Sequence, residues 1–301
     1  MSIKQEPTCP VCLKLSKRLF PALYGPIPEV AGIFFKLDVK PWIHECSDCG
    51  VRFTHPFVPQ ETLDSCYEKA GSFVWKDDPH NAKRRGFPSM VRVVEQEVLN
   101  KSILDVGCYT GAFLECFPES WLKYGIEPSK EAAELARSRN IEIISNYIKQ
   151  VKLPPNKFGC VSALSVLEHI ADPLYFLRKL TYALAPGGIL LLQTGDLSSL
   201  YSLLMGKYWC YYHKPEHILF FSFLSLKRLL HSLGLDVIKV ERNVDHKKPY
   251  GLKVNIKHTL DVSVAVMNRF ISPFRQKDKN YVLWAICCDH MVVYARKNDN
   301  K

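Results

Sequence analysis

The run Ile103-Leu104-Asp105-Val106-Gly107-Cys108-Tyr109-Thr110-Gly111-Ala112-Phe113-Leu114 decides the fold. Apolar residues lead into a turn that carries two glycines, and a helix-compatible run leaves it. The pattern predicts strand, tight loop, helix. Glycines let backbone approach a ligand, and a helix N-terminus presents unpaired N–H groups. The spacing is Asp-x-Gly-x-x-x-Gly, which is not the Gly-x-Gly-x-x-Gly of dinucleotide sites. An ordinary strand-to-helix turn is the plainer reading, and the surrounding chain separates the two.

Downstream, strands alternate with helices. Trp121 to Ile126 reads as a second strand ending at Glu127-Pro128. Ser129 is a helix cap, with acidic Glu131 and Glu134 early and Arg137 and Arg139 late, complementing the helix dipole. Ile141 to Ile144 is a third strand and Phe158 to Ser165 a fourth. Asp172-Pro173 opens a helix whose apolar positions Leu174, Leu177, Leu180 and Leu184 run to Pro186-Gly187-Gly188. Ile189 to Gln193 is a fifth strand, apolar enough to be buried on both faces. A helix over Leu226 to Leu233 stops at Gly234. Sixth and seventh strands follow at Leu235 to Val240 and His290 to Arg296. This alternation predicts an α/β, doubly wound, Rossmann-like sheet of seven mostly parallel strands, with ligands at their carboxyl ends. Glu127 ends the second strand, 16 positions beyond Gly111, where a carboxylate can take both hydroxyls of a ribose.

Upstream, Cys9-Pro10-Val11-Cys12 and Cys46-Ser47-Asp48-Cys49-Gly50 are two Cys-x-x-Cys knuckles. Two such pairs supply the four thiolates of a tetrahedral zinc site, and with every position filled the metal is structural. The 33 residues between the pairs carry Pro21, Gly25, Pro26, Pro28 and Gly32, which suggest a hairpin-like excursion. The remaining cysteines of the eleven read as small buried apolar residues, and nothing indicates a disulfide framework. The expected domains are a zinc-ribbon-like module at 1–60, a helical lid or linker at 61–100, and a main domain at 101–301 with an insertion at 241–289. Gly71 to Trp75 and Lys83 to Gly86 read as a surface loop able to cover a cofactor.

The chain has 301 residues, 47% of them apolar, enough for one large core plus an appendage. The formal charge of +10 admits an anionic partner and selects none. The densest basic stretch, Lys239 to Lys257, reads as a solvated face. Without an apolar span or an exported leader the expectation is a cytoplasmic protein. The run Leu260 to Phe270 reads as substrate-side packing or a dimer surface, with a peripheral membrane contact as the alternative.

The segments Ile103 to Leu114, Gly125-Ile126-Glu127-Pro128, Val166-Leu167-Glu168-His169-Ile170-Ala171-Asp172-Pro173 and Leu184-Ala185-Pro186-Gly187-Gly188 resemble, in order and spacing, class I S-adenosylmethionine-dependent methyltransferases. The resemblance covers about residues 101–240. It implies a last strand running antiparallel. It implies Asp105, Gly107, Cys108, Tyr109 and Gly111 near the methionine part of S-adenosylmethionine, and Glu127 with Pro128 at the ribose. Asn146 or Tyr147 would lie beside the adenine, and Leu164 and Ser165 near the sulfonium. Family members of ubiquinone synthesis bind a divalent ion through an extra Glu where this chain has Ser165, so no magnesium site is expected and His169 reads as structural. The fourth strand opens Phe158-Gly159 where the family usually has Phe-Asp.

Tyr211-Tyr212-His213-Lys214-Pro215-Glu216-His217 is the polar-aromatic cluster nearest the predicted methyl donor. A hydroxyl acceptor loses its proton as the methyl arrives, and imidazole suits that task near neutral pH. The candidates are His217 and His213 as base, with Glu216 orienting the ring. The stretch resembles the Tyr-His-Glu-His segment of zinc-containing sugar C-methyltransferases, which implies Glu216 and His217 as the acid/base pair; Lys214-Pro215 interrupts the motif here. The expected function is methyl transfer to a small hydroxylated, saccharide-type acceptor. Ribosomal RNA base methylation and a non-enzymatic binding module are the alternatives.

Overall fold

The computed structural model describes residues 6–70, 86–243 and 289–298. The Gly71 to Arg85 loop, the Leu260 to Phe270 run and nearly all of the 241–289 insertion lie outside the described residues.

Five strands open the chain: β1 (Ser16–Pro21), β2 (Glu29–Val30), β3 (Ile33–Phe34), β4 (Trp42–Cys46) and β5 (Arg52–His55). Helices α1 (Gln60–Lys69) and α2 (Phe87–Glu97) follow. The main domain then runs β6 (Ser102–Val106), β7 (Leu122–Ile126), α3 (Lys130–Arg137), β8 (Glu142–Ser145), β9 (Phe158–Leu164), α4 (Pro173–Ala183) and β10 (Leu184–Gly195). It continues with α5 (Leu200–Met205), β11 (Leu219–Phe220), α6 (Phe223–Ser232), β12 (Leu235–Asn243) and β13 (His290–Lys297).

Seven strands form one sheet in the order β12-β13-β10-β9-β6-β7-β8. The β10/β9, β9/β6, β6/β7 and β7/β8 pairs are parallel, while β13 runs antiparallel to both its neighbours. The winding reverses between β6 and β9, so a crevice opens at their carboxyl ends. Strand periodicity builds the two faces. Leu104, Val161, Leu190 and Val293 enter one hydrophobic cluster, and Ile103, Cys160, Leu191 and Val292 enter the other. Each central strand therefore places apolar residues on both faces, and Ile189 to Leu192 of β10 are all buried, as expected. The caps also follow the sequence: Ser129 accepts the Ala132 N–H, and Asp172 accepts the Tyr175 N–H ahead of Pro173.

One expectation is corrected. The run after Gly111 does not form a regular helix. It makes one 3₁₀ turn, Leu114–Cys116, because Pro118 cuts it short before the chain must re-enter β7. The N-terminal module shares a sheet with the main domain. Its sheet has the order β1-β4-β5-β11, so its fourth strand comes from the main domain. Phe53 pairs with Leu219 and Arg52 with Phe220. One apolar cluster runs from Cys9, Val11, Cys46, Val51 and Phe53 into the main core. The long gap between the knuckles closes on itself. β1 and β4 pair antiparallel, and the Ala22 N–H donates to the Pro41 carbonyl. No described helix is long and apolar enough to cross a membrane.

Candidate active site

The turn after β6 is tight for internal reasons. Gly107 and Gly111 have φ of +74° and +81°, and Tyr109 also adopts the left-handed region at +49°. A Cβ on Gly107 would lie 2.7 Å from Val166 Cγ2, and one on Gly111 would strike the Ile141 side chain. The glycines thus serve the packing of the turn against the protein, and not only the approach of a ligand. Asp105 is buried at the end of β6 and accepts a 2.8 Å hydrogen bond from Ser162 Oγ on β9. Cys108 is a buried filler whose thiol is pushed well up by burial.

Glu127 stands just past β7 with its carboxylate held by two backbone donors. The Tyr109 N–H reaches Oε2 and the Ser129 N–H reaches Oε1, each at 2.8 Å. Further lone pairs remain on both oxygens for hydroxyl donors. Burial pushes its pKa up to about 7, against the two N–H bonds that pull it down. This pinned carboxylate beside a glycine turn, at a strand end, fits the ribose of the cofactor that the sequence resemblance implies. Tyr147 follows β8 and donates its hydroxyl to the Asp64 carbonyl of α1 at 3.1 Å, while Asn146 is exposed. Leu164 ends β9, and Ser165 turns the chain there with φ +56° and its N–H on the Gln193 carbonyl.

The second half of the site lies beyond β9 and β10. Glu168 is 1% exposed. Its Oε1 accepts a 2.6 Å bond from the Tyr211 hydroxyl, which itself accepts the Gly195 N–H at 2.9 Å. The other oxygen, Oε2, is buried with no partner among the described residues. One nitrogen each of His169 and His217 and one oxygen of Glu168 lie within 4.8 Å of one another. The two imidazole rings are 4.9 Å apart, and the Tyr211 ring lies 3.9 Å from that of His217.

Carbonyl contacts set the tautomers. His217 Nδ1 meets the Tyr211 carbonyl at 3.1 Å, and His169 Nδ1 meets the Glu216 carbonyl at 3.0 Å. A carbonyl only accepts, so each Nδ1 carries the hydrogen and each Nε2 keeps its lone pair. Burial pulls the His217 pKa well below the usual imidazole range, with His169, Lys214 and His290 adding to it. His217 therefore stays neutral and able to accept a proton.

The structure brings His217 together with Glu168 and His169, and not with its expected companions. Glu216 gives His169 its backbone carbonyl, and its charge is felt by Tyr24, Tyr67 and Cys66. His213 donates to the Lys207 backbone carbonyl, and its Nε2 is buried with no partner among the described residues. Sequence reasoning assigned no role to Glu168 or Tyr67 and read His169 as structural. Tyr67 of α1 sits 3.2 Å from His169 Nδ1 through its hydroxyl. The signal for Glu168 was its place in the Glu-His pair, which nothing in the local sequence connects to position 217.

The four knuckle cysteines converge, with their sulfurs all within 4.8 Å. Cys9 and Cys49 Sγ are 3.7 Å apart, and Cys12 and Cys46 Sγ 3.3 Å. These separations exclude disulfides. They approach the spacing of about 3.8 Å between sulfurs tetrahedrally bound to zinc. The Val11 N–H points at Cys9 Sγ, and the Asp48 and Cys49 N–H groups at Cys46 Sγ, as thiolate ligands require. The donor set fits zinc.

Residues 80–240 match the family model described as a methyltransferase domain. A ubiquinone biosynthesis O-methyltransferase of Haemophilus ducreyi is 29% identical over 109 residues, 32% of this chain and 46% of that protein. A tRNA U34 carboxymethyltransferase of Trichodesmium erythraeum is 25% identical over 191 residues, 53% of this chain and 56% of that protein. The chain thus spans about half the length of these curated relatives. Among solved structures, a chain from the complex of the Haloferax volcanii Trm112 methyltransferase activator with a methyltransferase aligns over 73% of this chain and 92% of its own. It does so with a TM-score of 0.52 at 12% identity, a likeness of fold. The family match covers more than half of the chain, and it coincides with the seven-stranded sheet and with the turn and carboxylate at its carboxyl edge. The chain belongs to the methyltransferase-domain family, on the class I S-adenosylmethionine-dependent fold.

Proposed function

We propose that the protein is an S-adenosylmethionine-dependent methyltransferase acting on a hydroxyl of a small, saccharide-type acceptor, with His217 as general base. One observation carries this reading. A carboxylate pinned for a ribose and a neutral, buried imidazole backed by a second carboxylate share the carboxyl edge of one sheet. The bound cofactor supplies an electrophilic methyl group on sulfur. Glu127 would hold the ribose hydroxyls, the Asp105–Gly111 turn would seat the methionine part, and Tyr147 would take the adenine side. His217 Nε2 accepts the acceptor's proton as the methyl is transferred, and the unpaired Glu168 oxygen stabilises the resulting imidazolium. Positioning both reactants supplies much of the remaining acceleration. Cys9, Cys12, Cys46 and Cys49 hold a structural zinc. A saccharide-type acceptor suits a site where one Glu168 oxygen has no partner among the described residues.

Methylation of RNA is the second reading. A cavity of about 350 Å³ lined by Lys149, Lys152, Lys179 and Tyr182 offers positive charge with an aromatic face, and one relative is named for a tRNA position.

Mass-spectrometric screening of hydroxylated metabolites and RNA with labelled donor tests both readings. The expected result is product from a small polyol that His217→Ala reduces at least a hundredfold. Product only on RNA, or product undiminished in that variant, overturns the first reading.

A further inference from the structure

The backbone of His217 and Ile218 is held at three points. The Glu168 carbonyl accepts the Ile218 N–H at 2.8 Å. The Ile218 carbonyl accepts the Thr54 N–H at 3.0 Å. The His217 carbonyl accepts the Thr54 hydroxyl at 3.1 Å. Thr54 is 1% exposed and belongs to β5, the second strand of the hairpin whose turn is the second cysteine knuckle. The hairpin is closed by the Cys46 N–H on the Val51 carbonyl and the Gly50 N–H on the Cys46 carbonyl. Its neighbours grip the same loop from the other side. Arg52 Nη1 donates to the Tyr212 hydroxyl at 3.0 Å, and Ile43 packs with Trp209, Tyr211 and Tyr212.

The ladder alone does not require a hydroxyl at position 54. Strand pairing between Phe53 and Leu219 satisfies the backbone groups next to it. The Thr54 side chain adds a bond to the one carbonyl that belongs to His217 itself. It fixes the Cα from which the imidazole is aimed. The donor half has no such dependence on β5, since Glu127 is held by Tyr109 and Ser129 and Asp105 by Ser162.

We propose that Thr54 is a positioning residue for His217, through which the cysteine-held N-terminal hairpin forms one wall of the acceptor site. The proposal deepens the reading of His217 as base and rests on it for its functional meaning. Its structural content is the setting of the imidazole, which can be measured without an acceptor. The groups that face His217 are Glu168 and His169 after β9, Tyr211 and Lys214 on its own loop, and His290 on β13. A ring that loses its fixed position gains water and trades its single tautomer for a mixture.

The test is imidazole NMR on the full chain with labelled histidine, the His217 signals being assigned by their loss in His217→Ala. Wild type is expected to show the Nδ1–H tautomer and a titration well below the free-imidazole range. Thr54→Val should mix the tautomers and raise the proton affinity of His217 at least tenfold. It should keep its zinc content and hold S-adenosylhomocysteine, read by calorimetry, within threefold of wild type. Thr54→Ser should restore the wild-type signals. A Thr54→Val protein with the wild-type tautomer and titration overturns the proposal. So does a Thr54→Ser protein that behaves like the valine variant, because the methyl and not the hydroxyl would then matter. Parallel collapse of S-adenosylhomocysteine affinity in Thr54→Val also overturns it, since Thr54 would then hold the whole fold. If His217→Ala retains full methyl transfer, the base assignment fails while the NMR linkage between positions 54 and 217 still stands or falls by itself.

Discussion

The hydroxyl of Tyr211 donates to the Glu168 carboxylate at 2.6 Å while accepting the Gly195 N–H at 2.9 Å. One phenol thus joins the loop after β9 to the end of β10 and leaves a single carboxylate oxygen for the imidazoles. The contact is made in a dry place, since Glu168 and Tyr211 are both buried. Gly195 is required there because a Cβ would lie 2.6 Å from the Tyr211 ring. Removing the hydroxyl in Tyr211→Phe leaves a buried N–H and a buried carboxylate oxygen unpaired. The expected cost is about 2–3 kcal/mol, seen as a lower midpoint in urea with an unchanged slope. Methyl transfer should fall as well, because Glu168 is then free to turn away from His217.

Glu127, the proposed ribose ligand, should make donor binding pH-dependent. Its pKa of about 7 in the folded chain lies above its ordinary value of 4.5 because burial disfavours the charge. Ionising it therefore costs the ligand-free fold stability as pH rises from 4.5 through 7, a loss of roughly 3 kcal/mol. Ribose hydroxyls donate to the ionised form and return that loss. The affinity for S-adenosylhomocysteine should thus strengthen about tenfold from pH 6 to pH 8, and the ligand-induced rise in melting temperature should grow over the same interval. Calorimetry across that range checks it, and Glu127→Ala should bind weakly with no pH dependence near 7.

Gly159 explains a departure of this chain from its family. A Cβ at 159 would collide with the Asn100 backbone carbonyl, and Asn100 also donates its side-chain amide to the Lys157 carbonyl at 2.9 Å. The backbone before β6 thus occupies the space of the aspartate usually found here. Gly159→Ala should destabilise the domain by at least about 2 kcal/mol, and Gly159→Asp by more, because neither the carbonyl nor β9 can yield cheaply. Thermal unfolding of the two variants reads the order directly.

Legibility divides along the range of the interactions. The strand alternation, the Ser129 and Asp172 caps and the Glu127 position are local patterns, and each appears where the sequence puts it. The tight turn at Gly107 was legible, but the helix after it was not, since Pro118 acts from beyond the apolar run. The acceptor side was read only in part. His217 was singled out from its neighbours in sequence, yet the carboxylate that stands beside it is 49 positions upstream at Glu168 and the hydroxyl on its carbonyl lies at Thr54. Sheet pairing between β5 and β11 makes that connection, and no periodicity within either segment announces it. For the same reason no local pattern shows that the N-terminal sheet takes its fourth strand from the main domain.

The cysteine cluster should carry one zinc per chain, and acid should release it. Cys9 is pulled down to about 5, mainly by the Cys49 sulfur that donates to it, so one thiolate persists near neutral pH. Burial pushes the Cys12 thiol up to about 11 and donation to Cys9 pushes Cys49 well up, so a metal displaces protons there and its binding weakens as protons compete. Metal analysis should find zinc in wild type and lose it in Cys12→Ser. Because Cys9 and Cys46 share a hydrophobic cluster with the main core, chelation should lower the melting temperature of the whole chain in one transition, and not melt a detached module.

The two histidines of the acceptor loop should separate cleanly. His217 contacts Tyr211 and stands with His169 and Glu168, whereas His213 is turned to the Lys207 backbone with its Nε2 enclosed. Both rings are pulled down by burial, so a lowered pKa does not distinguish them. What distinguishes them is the carboxylate, since an imidazolium forms readily only where Glu168 can face it. His217→Ala should reduce kcat at least a hundredfold with the KM for S-adenosylmethionine unchanged, as loss of a base requires. His213→Ala should change kcat by less than threefold while lowering the melting temperature by a few degrees, the mark of a buried ring that packs the loop. Equal losses of kcat in the two variants would remove Glu168 as the deciding group.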